Sequence, residues 1–192
     1  KGNTTVFIHG FMGTANSWVD IIKDMDCHVL AIDLPGHGKS SFLDIDKKNT
    51  VEECCFSLNE LIKSMSLDKV NICGYSMGGR LSVAFASQYS ETVNKLILES
   101  SSLGIENIDK RKLRYVDDLD KCNQINQDLT KFVDLWESTP IFINQESRNK
   151  AGYQEQRRQR PMKRISQLPT RDRNLVLLQV VVTAAFGAVM GC

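Results

Sequence analysis

Histidine is sparse in this chain. His9, His28 and His37 are all there is, and none follows residue 37. Chemistry that needs an imidazole from later in the chain must do without one of its own. No Cys-x-x-Cys pair occurs, and no histidine stands at zinc-ligand spacing from a cysteine, which argues against a structural zinc site. The net charge of +1 gives no electrostatic case for nucleic acid or an anionic membrane surface. Low-complexity segments and internal repeats are absent. The amino-terminal end has no charged start, apolar core and small-residue cleavage site of a secretory signal. It opens at Lys1 and turns apolar by Val6, which predicts a start inside a larger reading frame. Six cysteines, Cys27, Cys54, Cys55, Cys73, Cys122 and Cys192, then read as reduced thiols of a cytoplasmic protein. Those in the strand-like runs, Cys27 and Cys73, act as small hydrophobes.

What is present is ordinary for a globular domain: 192 residues, 42% of them apolar. One domain is the default, short against the roughly 250 residues that a single-domain α/β enzyme can reach. Thr4 to Ile8 reads as a strand, and His9-Gly10-Phe11-Met12-Gly13 as a loop. Trp18, Ile21, Ile22 and Met25 fall at helical spacing within Ser17 to Met25. His28 to Ile32 is a second strand, and Asp33 to Ser40 a loop by its proline and glycines. Thr50-Val51-Glu52-Glu53 fits a capping box opening a helix that runs to about Met65. Val70 to Cys73, a helix over Arg80 to Ala86, and a strand over Val93 to Leu98 complete an alternation. That alternation predicts an α/β fold, a parallel sheet flanked by helices on both faces. Residues 1–102 form the core in this reading. Residues 103–167, charged and helix-rich, form a helical cap above the strand ends, where α/β sheets bind ligands. Residues 168–192 form an atypical apolar tail.

The chemistry centres on Gly74-Tyr75-Ser76-Met77-Gly78-Gly79-Arg80. Gly-x-Ser-x-Gly between a strand and a helix is the nucleophile elbow of an α/β-hydrolase sheet. The alternative for Ser76 is a plain helix N-cap. An oxyanion hole would use the backbone N–H of Met77 and that of Phe11 in the earlier loop, each donor supplying about 3 kcal/mol. The serine needs a base and an orienting carboxylate, arriving later in the chain as Asp/Glu and then His. No histidine does so here. His9 and His37 are expected to shape their loops by hydrogen bonding. Arg80, one turn past Ser76, either faces an anionic substrate or pairs with a cap carboxylate.

His9-Gly10-Phe11, Asp33 to Gly38, Gly74 to Arg80, Leu96 to Ser100 and Trp136-Glu137-Ser138-Thr139-Pro140-Ile141-Phe142 occur in that order. Together they resemble the 2-succinyl-6-hydroxy-2,4-cyclohexadiene-1-carboxylate synthases of menaquinone biosynthesis, α/β-hydrolase-fold lyases without a cofactor. The resemblance covers about residues 4 to 167. It implies elimination of pyruvate from an enolpyruvyl substrate with three carboxylates. Ser76, working through His and Asp partners, would remove a ring proton α to a carboxylate. It also implies that Tyr75, Arg80, Arg114, Trp136 and Arg160 line the substrate site, with no metal. A serine esterase of the same fold is the alternative.

After Gln167 the resemblance stops. The family continues into strands bearing the catalytic Asp and His, but Leu168 to Cys192 offers one carboxylate, Asp172, and no histidine. The expectation is a partial family member whose carboxyl-terminal strands are missing, with an open sheet edge and little activity. Leu175 to Cys192 carries no charge over eighteen residues, enough to raise a membrane anchor, though its Gln, Thr and two glycines argue against one.

Overall fold

The computed structural model describes residues 2–40 and 50–140. Strand β1 is Thr5–Ile8, β2 is Val29–Ile32, β3 is Val70–Tyr75 and β4 is Val93–Glu99. All pair in parallel, in the order β2-β1-β3-β4. The chain leaves β1 for one side of the sheet and returns to the other, so the order reverses between β1 and β3. Their ends lie level, with Phe7 beside Cys73 and Ile8 beside Gly74. Such a switch point opens a crevice at the carboxyl ends of the strands.

Both faces of β1 are covered, which is why all four of its residues are buried. Val6 and Ile8 point to one side, where helix α2 (Val51–Ser64) and helix α3 (Met77–Gln88) supply Cys55, Leu58, Ile62, Leu81 and Phe85. Phe7 points to the other, against Trp18 and Cys73. Thr50 and Glu53 form the capping box of α2, each side chain taking the other's backbone N–H at 3.1–3.2 Å.

The helix read over Ser17 to Met25 is much shorter. A 3-10 turn over Ala15–Trp18 leads into a single α turn, α1, Val19–Ile22. The Thr14 side chain caps it, and Asp33 Oδ1 accepts from the Ala15 N–H at 2.7 Å. Only Trp18 and Ile22 of the supposed apolar stripe pack inward, while Ile21 is 55% exposed. Cys27 lies just before β2 rather than inside it. The elbow helix is longer than read, starting directly after Ser76.

Two helices follow β4: α4 (Ile108–Gln127) and α5 (Leu129–Glu137). Asn107 caps the first and Asp128 the second. Their apolar faces meet over the loop after β1, burying Met12 with Cys122, Ile125, Phe132 and Val133. β4 is the outer strand of the described sheet, with Leu96 and Ile97 exposed. The described helices include none long and apolar enough to cross a membrane. Arg160, and the tail over residues 168–192, lie outside the described residues.

Candidate active site

Ser76 joins β3 to α3 at φ 51°, ψ −111°, a conformation that side-chain-bearing residues rarely adopt. Holding it costs on the order of 1–3 kcal/mol. Hydrogen bonds on both sides enforce it. The Ser76 N–H donates to the Glu99 carbonyl at 2.9 Å, and its carbonyl accepts from Ser101 Oγ at 3.0 Å and the Arg80 N–H at 3.2 Å. The serine sits where an N-cap would, yet its side chain makes no capping bond. The plain N-cap explanation therefore fails, and Oγ is left for other work. Gly78 is required because α3 begins hard against the end of β1. A Cβ there would collide with the carbonyl oxygens of Ile8 and His9.

Met77 opens α3, so its N–H belongs to the first turn, whose amides have no partner within the helix. Phe11 lies in the loop after β1, the strand beside β3. A Cβ on Gly10 would come within 2.8 Å of Tyr75 Cδ1, so the Tyr75 ring covers that loop. The Phe11 ring meets Trp136 edge-on at 5.4 Å and Phe132 at 6.4 Å. Trp136 of α5, far away in sequence, thereby joins the loop next to Ser76.

The histidines are committed elsewhere. His9 is buried, donates from Nδ1 to the Gly10 carbonyl at 2.8 Å, and accepts at Nε2 from the Leu34 N–H at 3.1 Å. This fixes a neutral tautomer and uses both ring nitrogens. His37 packs on the His9 ring at 4.9 Å and donates from Nδ1 to the Pro35 carbonyl at 3.1 Å. Asp33 completes the scaffold, its second carboxylate oxygen accepting from the Lys39 N–H at 2.8 Å. The expected loop-shaping role of both histidines is what the geometry shows. His28 precedes β2, at the opposite end of the sheet from the elbow and next to a strand that does not adjoin β3.

Arg80 stands one helical turn beyond Ser76. Among the described residues it forms no ion pair within 4 Å, and its buried Nε has no hydrogen-bond partner. Burial pulls the guanidinium pKa down, neighbouring Arg114 pulls it further, and Asp118 pushes it back up. Arg80 and Arg114 are thus close enough to feel each other although they come from α3 and α4. Arg114 Nε donates to Asp118 Oδ1 at 2.8 Å. Reading the sequence singled out Arg114 and missed Asp118. The signal available was the Arg114–Asp118 spacing of four, which places both on one helix face.

A family model described as the alpha/beta hydrolase fold matches residues 4–167. The chain belongs to the alpha/beta hydrolase fold family. Within this family, a Bacillus subtilis protein provisionally named 2-succinyl-6-hydroxy-2,4-cyclohexadiene-1-carboxylate synthase is 35% identical over 143 residues, 73% of this chain and 52% of that protein. The synthase of that name from an Enterobacter species is 30% identical over 139 residues, 71% of this chain and 53% of its own. The hydrolase-fold chain therefore spans about half the length of the curated relatives it matches. MenH from S. aureus superposes with a TM-score of 0.80 at 24% identity, covering 92% of this chain and 65% of that one. A thermophilic esterase from Thermogutta terrifontis reaches 0.70 at 19% identity, covering 96% and 64%. The two structures show the shared fold. The sequence relatives match the synthase resemblance carried by the motifs, and they are named as enzymes.

Proposed function

We propose that this chain carries the serine and the carboxylate-recognising residues of a synthase-type carbon–oxygen lyase. Its substrate in this reading is 2-succinyl-5-enolpyruvyl-6-hydroxy-3-cyclohexene-1-carboxylate, and the reaction eliminates pyruvate. The observation that supports the reading is a strained Ser76, its side chain uncommitted to capping, with two guanidinium groups, Arg80 of α3 and Arg114 of α4, close enough for their charges to act on each other. A generic ester carries no charge that would need two arginines. A tricarboxylate does, and the guanidinium fork matches a carboxylate oxygen pair. The synthase names of the relatives at 35% and 30% identity add to it.

In the proposed step the C–H bond α to a ring carboxylate breaks, and its proton passes to the Ser76 oxygen. The electron pair forms a ring double bond and expels the enolpyruvyl oxygen, which leaves as the enolate of pyruvate. The N–H groups of Phe11 and Met77 stabilise charge developing on oxygen. Tyr75 and Trp136 wall the ring, and Arg160 is assigned a third carboxylate by resemblance alone. The segment over residues 103–167 serves as the cap in this reading, and a cytoplasmic setting suits a soluble polycarboxylate. Ser76 must be deprotonated first. His9, His28 and His37 are all otherwise placed, so the reading requires a base from outside this set of histidines.

The test is pyruvate release from the enolpyruvyl substrate, run beside hydrolysis of a p-nitrophenyl ester, with Ser76→Ala as control. The expected outcome is pyruvate release that depends on Ser76 and runs about 1,000-fold or more below a synthase with a complete triad. Ser76-dependent ester cleavage with no pyruvate would reassign the site to a serine esterase. Turnover at the rate of an intact synthase would show that a base has been overlooked, with His9→Ala and His37→Ala the variants to identify it.

A further inference from the structure

Helix α4 turns one stripe toward the end of the sheet: Arg114, Asp118, Cys122 and Ile125. The last two are buried beneath Met12 and the α5 residues. Asp118, one turn earlier, is also fully buried, 0% exposed, although nothing in the apolar cluster calls for a charge. Two cations pair with it and a third lies within electrostatic reach. Arg114 Nε donates to Oδ1 at 2.8 Å, Lys121 Nζ lies 3.7 Å from the same oxygen, and Arg80 of α3 is near enough for the two charges to act on each other. Asp117, itself paired with Lys121, is the other carboxylate nearby. The second oxygen, Oδ2, is buried and has no hydrogen-bond partner.

Burying an ion pair is a poor way to gain stability, because desolvation offsets the attraction. An apolar residue at 118 would extend the Cys122–Ile125 stripe. The carboxylate is better explained by what it does to Arg114. That residue spends Nε on Asp118, while its side chain stays 33% exposed. Gripping Nε restrains the guanidinium plane and leaves the two terminal nitrogens, a pair that can make a fork with a carboxylate, for a ligand. Preorganisation of this kind lowers the ordering cost of binding.

We propose that Asp118 is a positioning residue that orients the Arg114 guanidinium to receive a ligand carboxylate. The inference rests on the polycarboxylate reading above and goes beyond it by naming the residue that presents the arginine.

A simple counter-charge would behave oppositely. Removing a negative charge from among three cations tightens the binding of an anion, whereas removing a positioning contact weakens it. Calorimetric titration of the chain with the enolpyruvyl tricarboxylate reads the sign. Asp118→Ala should weaken binding about tenfold. Asp118→Asn keeps an oxygen to accept from Arg114 Nε, and should recover most of the loss. In an Arg114→Gln background the two should be indistinguishable. An Asp118→Ala chain that binds as tightly as wild type, or more tightly, overturns the proposal and leaves the polycarboxylate reading standing. A wild-type chain that does not bind the tricarboxylate overturns both.

A second measurement needs no variant. In the unliganded wild-type protein the Arg114 Nε–H resonance should be slow to exchange and move little on titration, while the terminal N–H groups shift. Fast exchange at Nε before ligand is added overturns the proposal.

Discussion

Ser76 shows what a single residue can be made to hold. Its φ of 51° costs energy that glycine would not spend, yet glycine has no hydroxyl. Replacing Ser76 with Gly should therefore stabilise the chain by about 1 kcal/mol in urea unfolding while abolishing serine-dependent chemistry. Unchanged or reduced stability would mean the elbow is relaxed. The Gly-x-Ser-x-Gly spacing alone announced this strain, because only a turn too tight for β-carbons asks for those glycines. The histidines were less legible. Their distance from any downstream position was plain in the sequence, but that His9 spends both nitrogens on Gly10 and Leu34 depends on β1 and β2 lying side by side.

Elements with a local cause were the ones sequence could find. The capping box Thr50-x-x-Glu53 needs only four consecutive residues, and α2 begins where it says. Thr50→Ala should cost about 1 kcal/mol of stability, measured by chemical denaturation, since it strands the Glu53 N–H. The segment Ser17 to Met25 failed for the complementary reason. Its apolar spacing suits a helix, but Asp33, eighteen residues after Ala15, captures the Ala15 N–H, and only two of the spaced side chains reach the core. A non-local contact overrode the periodic signal. Helices α4 and α5 were foreseen as helix-rich composition, without the knowledge that Phe132 and Trp136 would close on Phe11.

At the scale of the whole molecule, three apolar clusters carry the described residues, two of them larger than the Phe7–Trp18–Cys73 group. Of the larger two, one lies between the sheet and α2/α3, the other between α4/α5 and the loop after β1. Each contains a buried thiol that reports on it. Burial, with help from nearby carboxylates, raises Cys55 in the first and Cys122 in the second from 9.0 to about 12. The thiolate is the reactive form, so at pH 8 the fraction available falls about 1,000-fold relative to an unperturbed thiol. Alkylation by iodoacetamide should spare Cys55 and Cys122 in the native chain and reach both in urea. Rapid native labelling of Cys122 with protection of Cys55 would show that the helical pair does not stay packed on the sheet.

The sequence by itself determined the α/β alternation, the elbow and the capped α2, because each is written in neighbouring residues. Tertiary structure alone decided that β1 and β3 flank the switch point, that Trp136 reaches Phe11, and that Arg80 of α3 comes within electrostatic reach of the Arg114–Asp118 pair on α4. Those juxtapositions join residues up to 125 positions apart (Phe11 and Trp136). Local spacing carries no information about them, since they arise only when the apolar faces of sheet and helices are buried against one another.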